Sequence, residues 1–303
     1  MKALPHGCIP AQLWEHDVVH MPSAVAGIYT EYLKHLGRYN EALERAPDDA
    51  ELAGGSSDEA TMAHFTHRFA ASAVRIEYLV LDPYDAFGEI PSDLLVTLAD
   101  GRIAVLDVPC GTGAGTLGLL GTLAELRAQQ AAASLPLTLH ITAGDVASKA
   151  LDIYEALLCR TAPWLRSQGI QVHWEIAYWD AEQPNTTAAL VDRWFHMAEG
   201  AEEYVVLIAA FSGAGARHFE KFQRSFQHIT ERLHDKRCVI LWVEPRWNPG
   251  RSFFKKIKSL FDHIPWFPRK VAEPVDATFR WYHPIKHAII DRGSVLVKDY
   301  ARS

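Results

Sequence analysis

The chain is short of cysteine. It has four in 303 residues, at positions 8, 110, 159 and 238, with no C-x-x-C pair. That argues against a disulfide framework or a cysteine zinc site, no metal is expected, and a reducing compartment fits. No run of about 18 apolar residues occurs, so no membrane-spanning helix is expected. A secretory leader is not legible either, and the chain reads as soluble and cytoplasmic. Positive charge is also scarce, with 30 Lys and Arg against 37 Asp and Glu and a formal net charge of −7. A general polyanion binder has the opposite balance, although a local basic patch stays open. Internal repeats and long low-complexity segments are missing. What is there is 49% hydrophobic, enough for a sizeable core. The length admits one large domain, or a core domain with a smaller addition.

The most informative stretch is Ile103-Ala-Val-Leu-Asp107-Val-Pro109-Cys110-Gly111-Thr112-Gly113-Ala-Gly115-Thr116. An apolar run reads as a buried strand. It ends in an aspartate and a glycine-dense turn, and a helix follows through Leu119, Leu120, Leu123 and Leu126. Strand, glycine turn and helix together make a frame that holds nucleotide-like ligands. Gly113, Gly115 and Gly118 fit the dinucleotide pattern G-x-G-x-x-G, a weak signal alone. Asp107 argues against that ligand, because a carboxylate beside the turn repels a pyrophosphate and suits a cationic group.

These residues resemble the first motif of the class I (Rossmann-like) S-adenosylmethionine-dependent methyltransferases, a strand ending in Asp or Glu followed by G-x-G. The resemblance covers roughly residues 100 to 300. It implies an α/β fold with a doubly wound, mostly parallel seven-stranded sheet, whose last strand runs antiparallel. Residues 101–303 would form the catalytic domain, and residues 1–100 an N-terminal helical cap. Alternating strand and helix patterns agree: strands over 137–142, 170–177, 204–210 and 238–243, and helices over 147–168, 186–197 and 217–234. The tail departs from alternation, with a helical pattern over 252–263 and strand-like runs at 278–282, 288–290 and 295–297. In the first hundred residues, helical spacing starts at Ser23. A second helix is expected over 59–81, capped by Ser57 or Asp58.

The resemblance implies S-adenosyl-L-methionine as cofactor and S-adenosyl-L-homocysteine as product. Asp107, Gly111 and Gly113, with Pro109, Cys110 and Thr112 of the same turn, would line the methionyl end. Asp145 matches the acid that accepts the ribose hydroxyls, and Val146 would pack on the base. As an alternative, Asp145 caps the following helix. Asp180 matches the adenine-binding position, its alternative being a turn-capping aspartate. Trp179 or Ala181 would wall the adenine ring. Ala210 and Phe211, after the fourth strand, complete the expected contacts. Arg68 or Arg75 would reach the methionyl carboxylate, against the plainer reading of surface arginines on an amphipathic helix.

The acceptor is harder to read. The Asn-Pro-Pro-Tyr or Asp-Pro-Pro-Tyr motif of enzymes acting on amino groups of nucleic-acid bases and glutamine is missing after the fourth strand. Pro109-Cys110 lies inside the cofactor turn, so Cys110 reads as a packing residue and not a nucleophile. Among 15 histidines, His218 and His283 are weak candidates for a base. Residues 246–270 interleave lysine and arginine with aromatics. Read as a core helix the stretch has a solvated basic face; read otherwise it binds nucleic acid or lies on a membrane surface. A small organic acceptor is the first choice, RNA the second, and a non-catalytic binding module of the same fold the third.

Overall fold

The computed structural model describes residues 4–46, 55–211, 219–245 and 275–302. Within them, a short hairpin of β1 (Trp14–Glu15) and β2 (Val18–His20) precedes α1 (Ser23–His35), α2 (Tyr39–Leu43), α3 (Asp58–Leu81) and α4 (Ile90–Thr97). The alternating part follows as β3 (Gly101–Asp107), α5 (Ala114–Ala128), β4 (Leu137–Asp145), α6 (Ser148–Ser167), β5 (Ile170–Tyr178), α7 (Pro184–Met197), β6 (Glu203–Ala209), α8 (Phe219–Arg232) and β7 (Cys238–Glu244). Strands β8 (Val275–His283) and β9 (Ala288–Arg302) close the chain.

These strands form one nine-stranded sheet in the order β1-β2-β8-β9-β7-β6-β3-β4-β5. From β5 to β7 all neighbours are parallel, and β9 runs antiparallel between β7 and β8. Seven strands follow the expected pattern. The count of seven is corrected by β1 and β2, because β2 pairs with β8 and adds a hairpin to the sheet. Strands of two and three residues are too short to show alternation, so the sequence reads there as irregular.

The central strand β3 is apolar from Ile103 to Leu106 because both its faces are covered there. Ile103 and Val105 join a core with residues of α1, α3, α4, α5 and α6, whereas Ala104 and Leu106 join a second core with residues of α7 and α8. Three glycines let other parts of the chain close on α5. A Cβ on Gly115 would stand 3.2 Å from atoms of Leu207 and Ala209 on β6. On Gly118 it would stand 2.6 Å from the Ala73 carbonyl of α3, and on Gly121 2.5 Å from Val25 of α1. Gly118 of the apparent dinucleotide pattern is therefore a helix-crossing residue.

Helix α3 is capped by the Ser57 hydroxyl, which accepts from the Ala60 N–H at 3.1 Å. It lies against the β8–β9 hairpin, where the Tyr78 and Phe279 rings stack at 4.4 Å and Arg75 Nε donates to the Ser294 carbonyl at 2.7 Å. Helix α4 leads into β3 and carries Pro91 in its first turn, where proline is tolerated. At the amino ends of β3, β4 and β5, the buried guanidinium of Arg127 donates to four carbonyls: Leu135, Gln168, Leu98 and Ala99. Two of these end α4 and one follows α6, where unsatisfied carbonyls favour a cation.

Candidate functional site

The order β5-β4-β3-β6-β7 reverses direction between β3 and β6, and the carboxyl ends of strands at such a point form a crevice. Asp107 ends β3, level with Ala143 and Leu207; Asp145 ends β4, level with Tyr178. The turn after Asp107 crosses the end of β4, held by Cys110 N–H donating to the Gly144 carbonyl at 2.9 Å. Gly111 N–H then donates to Asp145 Oδ2 at 2.9 Å. Asp145 Oδ1 accepts from Ala147 N–H at 2.9 Å, the capping contact expected as its alternative role. Burial pushes the Asp145 carboxyl above the usual range, and the N–H groups of Ala147, Gly111 and Val146 hold it back.

Asp107 is 1% exposed and shielded on the protein side. Its Oδ2 accepts from the Thr116 hydroxyl at 2.6 Å. The buried Tyr154 hydroxyl faces the same carboxyl without closing a well-formed hydrogen bond. Burial raises Asp107 to about 7, opposed by those two hydroxyls and reinforced by the charge of Asp145. Cys110, also buried, is pushed well above a normal thiol by burial and then by both carboxylates, which denies it nucleophilic reactivity.

The two turn glycines differ. Gly113 has φ +81°, and a Cβ there would fall 2.0 Å from Cδ2 of the Tyr154 ring. Its missing side chain makes room for Tyr154. Gly111 has φ +51° and nothing within 4 Å of a Cβ, so its backbone faces open space. Thr112 is 7% exposed, Pro109 is half-buried, and Val146 is 52% exposed. The segment before α3 reaches this corner, with Gly55 beside Val146 and Ala147.

Other expected contacts lie further off or are engaged elsewhere. Asp180 forms the turn expected as its alternative: Oδ1 accepts from Glu182 N–H at 2.9 Å and Oδ2 from the Gln183 amide at 2.6 Å. Trp179 does not wall an adenine pocket. It is 2% exposed, its Nε1 donates to the Thr187 hydroxyl, and its ring packs near Phe226. Ala181 is buried, with its carbonyl bound by the Ser225 hydroxyl. Ala210 is exposed, but the Phe211 ring turns into the α7–α8 core against Phe222, Phe226 and Trp242. The Phe211 N–H donates to Glu244 Oε1 at 2.9 Å, so this residue pins β6 to β7.

Arg68 is half-buried on α3, and burial first, with the Arg68 charge as a lesser cause, lowers both His64 and Arg75. Arg75 is spent on Ser294. His283 is a turn residue and not a free base. Its Nδ1 accepts from the N–H groups of Ile285 and Lys286, and burial lowers it to about 4. His218 and residues 246–270 lie outside the described residues. Among the described residues, no cluster of three metal-ligating side chains occurs and no helix is long and apolar enough to cross a membrane.

Sequence reasoning missed Thr116 and Tyr154 as the groups facing Asp107. Thr116 opens the helix and reads as a helix-start residue. Tyr154 sits in the apolar stripe of α6 and reads as core.

No family model and no curated protein matches the chain. Among solved structures, the rRNA methyltransferase aviRa from Streptomyces viridochromogenes is similar at 16% identity with a TM-score of 0.33, over 86% of this chain and 96% of that chain. A second structure of it, at 1.5 Å, gives 15% identity and the same TM-score. A superposition at that level carries no argument about fold or activity.

Proposed function

We propose that the chain is an S-adenosylmethionine-dependent methyltransferase whose cofactor corner is built from Asp107, Gly111 and Asp145. The observation that carries this reading is the 2.9 Å bond from Gly111 N–H to Asp145 Oδ2. A pyrophosphate needs free backbone N–H donors at such a turn. Here the donor is taken by a carboxylate, and a second carboxylate lies beneath it. The corner therefore offers acceptors and negative charge, which suit hydroxyl groups and a cation. Each Asp145 oxygen keeps a lone pair for a ribose hydroxyl. Gly111 leaves space for close approach, and exposed Val146 and Tyr178 flank the place for an apolar ring.

The cofactor supplies an electrophilic methyl group on a sulfonium. The protein's part is to hold that group in line with an acceptor, and such positioning accounts for much of a displacement's acceleration. Asp107 provides negative charge under the methionyl end. For the acceptor we keep a small organic molecule, in line with the net charge of −7. The RNA alternative rests on residues 246–270 and predicts binding that falls steeply with salt.

Calorimetry with S-adenosylhomocysteine tests the reading. Wild type is expected to bind it and to ignore a dinucleotide. Asp145→Ala is expected to weaken binding about 10–100-fold, the loss of one or two charge-assisted hydrogen bonds. Absence of heat with the wild type overturns the proposal.

A pH dependence follows from Asp107, which burial pushes up to about 7. A ligand amino group favours the ionised carboxylate. Affinity for S-adenosylhomocysteine is thus expected to rise with pH below about 7, by at most about tenfold per unit, and to level off above it. Asp107→Asn is expected to flatten that profile. A wild-type profile flat between pH 5.5 and 7 would remove Asp107 from the site.

A further inference from the structure

Strand β5 ends the sheet, and among the described residues it pairs only with β4. It has nine residues, Ile-Gln-Val-His-Trp-Glu-Ile-Ala-Tyr, with no lysine and no proline. Edge strands are normally blunted by such residues or kept short; the opposite edge, β1, has two. Tyr178 is 53% exposed, and Trp174 and Ile176 are half-buried. These three share the α6 side of the strand and form a groove of about 410 Å³ with Leu151 and Glu155 of α6.

We infer that this edge joins the β5 edge of a second copy of the chain, antiparallel about a two-fold axis at Trp174. The argument is self-complementarity. Pairing all nine residues with their symmetry mates fixes one register: Ile170 meets Tyr178, Val172 meets Ile176, and Trp174 meets itself. In that register His173 faces Glu175 twice. Slipping by two residues loses pairs and brings His173 against His173 or Glu175 against Glu175. A slip of one turns the apolar face toward the polar one. The register with the longest overlap is therefore also the one that sets each imidazole against a carboxylate and matches the apolar faces. On the α7 side, Glu175 already holds Arg193 at 3.0 Å, and the second copy's imidazole adds to that pair. A closed two-fold contact of this kind uses one patch twice and yields a dimer, not a filament.

Sedimentation velocity on the full chain, up to about 100 μM, reads the association directly. A concentration-dependent dimer is expected. His173→Glu places like charges at both symmetric pairs and is expected to weaken it about tenfold or more. Adding Glu175→His to that variant restores an imidazole facing a carboxylate at both symmetric pairs in the same register and is expected to recover the dimer. In a chain whose exposed Cys8 and Cys159 are changed to serine, Trp174→Cys is expected to cross-link two chains on mild oxidation. Paired Cα atoms in an antiparallel ladder lie within disulfide reach. Val172→Cys, opposite Ile176 of the second copy, is expected not to cross-link. A monomer at every concentration overturns the inference and leaves the edge to a different strand donor. So does a dimer indifferent to His173→Glu, or one that links through position 172 and not 174. None of these readouts depends on cofactor binding.

Discussion

Replacing Glu77 with methionine is expected to stabilise the protein by about 2–4 kcal/mol at pH 7. Glu77 lies on the α3 face that packs into the main core. It is wholly buried, and neither carboxylate oxygen has a hydrogen-bond partner. Burial pushes its carboxyl well above the ordinary range, and nearby Glu125 pushes the same way. The unfolded chain releases this proton near pH 4.3, and the folded chain holds it to higher pH. Each pH unit between the two titrations costs the folded state about 1.4 kcal/mol. Between the two titrations the native state binds more protons than the unfolded state, so stability falls as pH rises from about 4.3 through the folded value. Urea titrations of wild type and Glu77→Met at pH 4 and pH 7 check this. The gap between them should be several-fold larger at pH 7. Glu77→Gln, which cannot titrate, should lose the pH slope without gaining all of the stability. A wild-type stability as high at pH 7 as at pH 4, with no gain from methionine, would mean the carboxyl finds a partner.

Gly113→Ala is expected to cost about 3 kcal/mol or more. Two penalties add. The residue sits at φ +81°, where a side chain is strained. The new methyl would also fall 2.0 Å from a carbon of Tyr154, a fully buried ring with little room to withdraw. Gly111→Ala is the contrast: its φ is +51°, but no atom lies within 4 Å, so only the backbone strain of about 1 kcal/mol applies. Denaturant unfolding of both separates packing from backbone. Combining Gly113→Ala with Tyr154→Leu should return most of the steric part, leaving a coupling of at least about 1 kcal/mol in a double-mutant cycle. If Gly113→Ala cost no more than Gly111→Ala, Tyr154 would not be what holds the glycine in place.

The parallel half of the fold was legible because β3, β4, β6 and β7 are largely apolar runs closed by turns, and a helix follows each strand from β3 to β6. The antiparallel ending was legible too, though β9 is one strand and not two runs. It carries Asp291, Arg292 and Gly293, which break the apolar pattern where the β8–β9 register shifts between Phe279 and Trp281, and the Arg280–Asp291 ion pair spans that irregularity. The N-terminal hairpin was hidden by its length. The corner was legible as a set of residues, and their arrangement was not. Sequence spacing places Asp107, Gly111 and Asp145 together but says nothing of Thr116 and Tyr154 enclosing the first carboxylate. Nor does it separate two glycines two residues apart, one facing a tyrosine ring and the other open space. Trp179 and Phe211 were misplaced for the same reason. An aromatic just past a strand end fits a ligand wall or a core equally well until the neighbouring helix is known.

The Arg127 guanidinium binds four carbonyls that reach the same point from three separate turns, spread between residues 98 and 168. One side chain thus ties together the segments that lead into β3, β4 and β5. That brace lies on the side away from the carboxyl ends, so a substitution at Arg127 would disturb the base of the sheet before it reached the corner of Asp107 and Asp145.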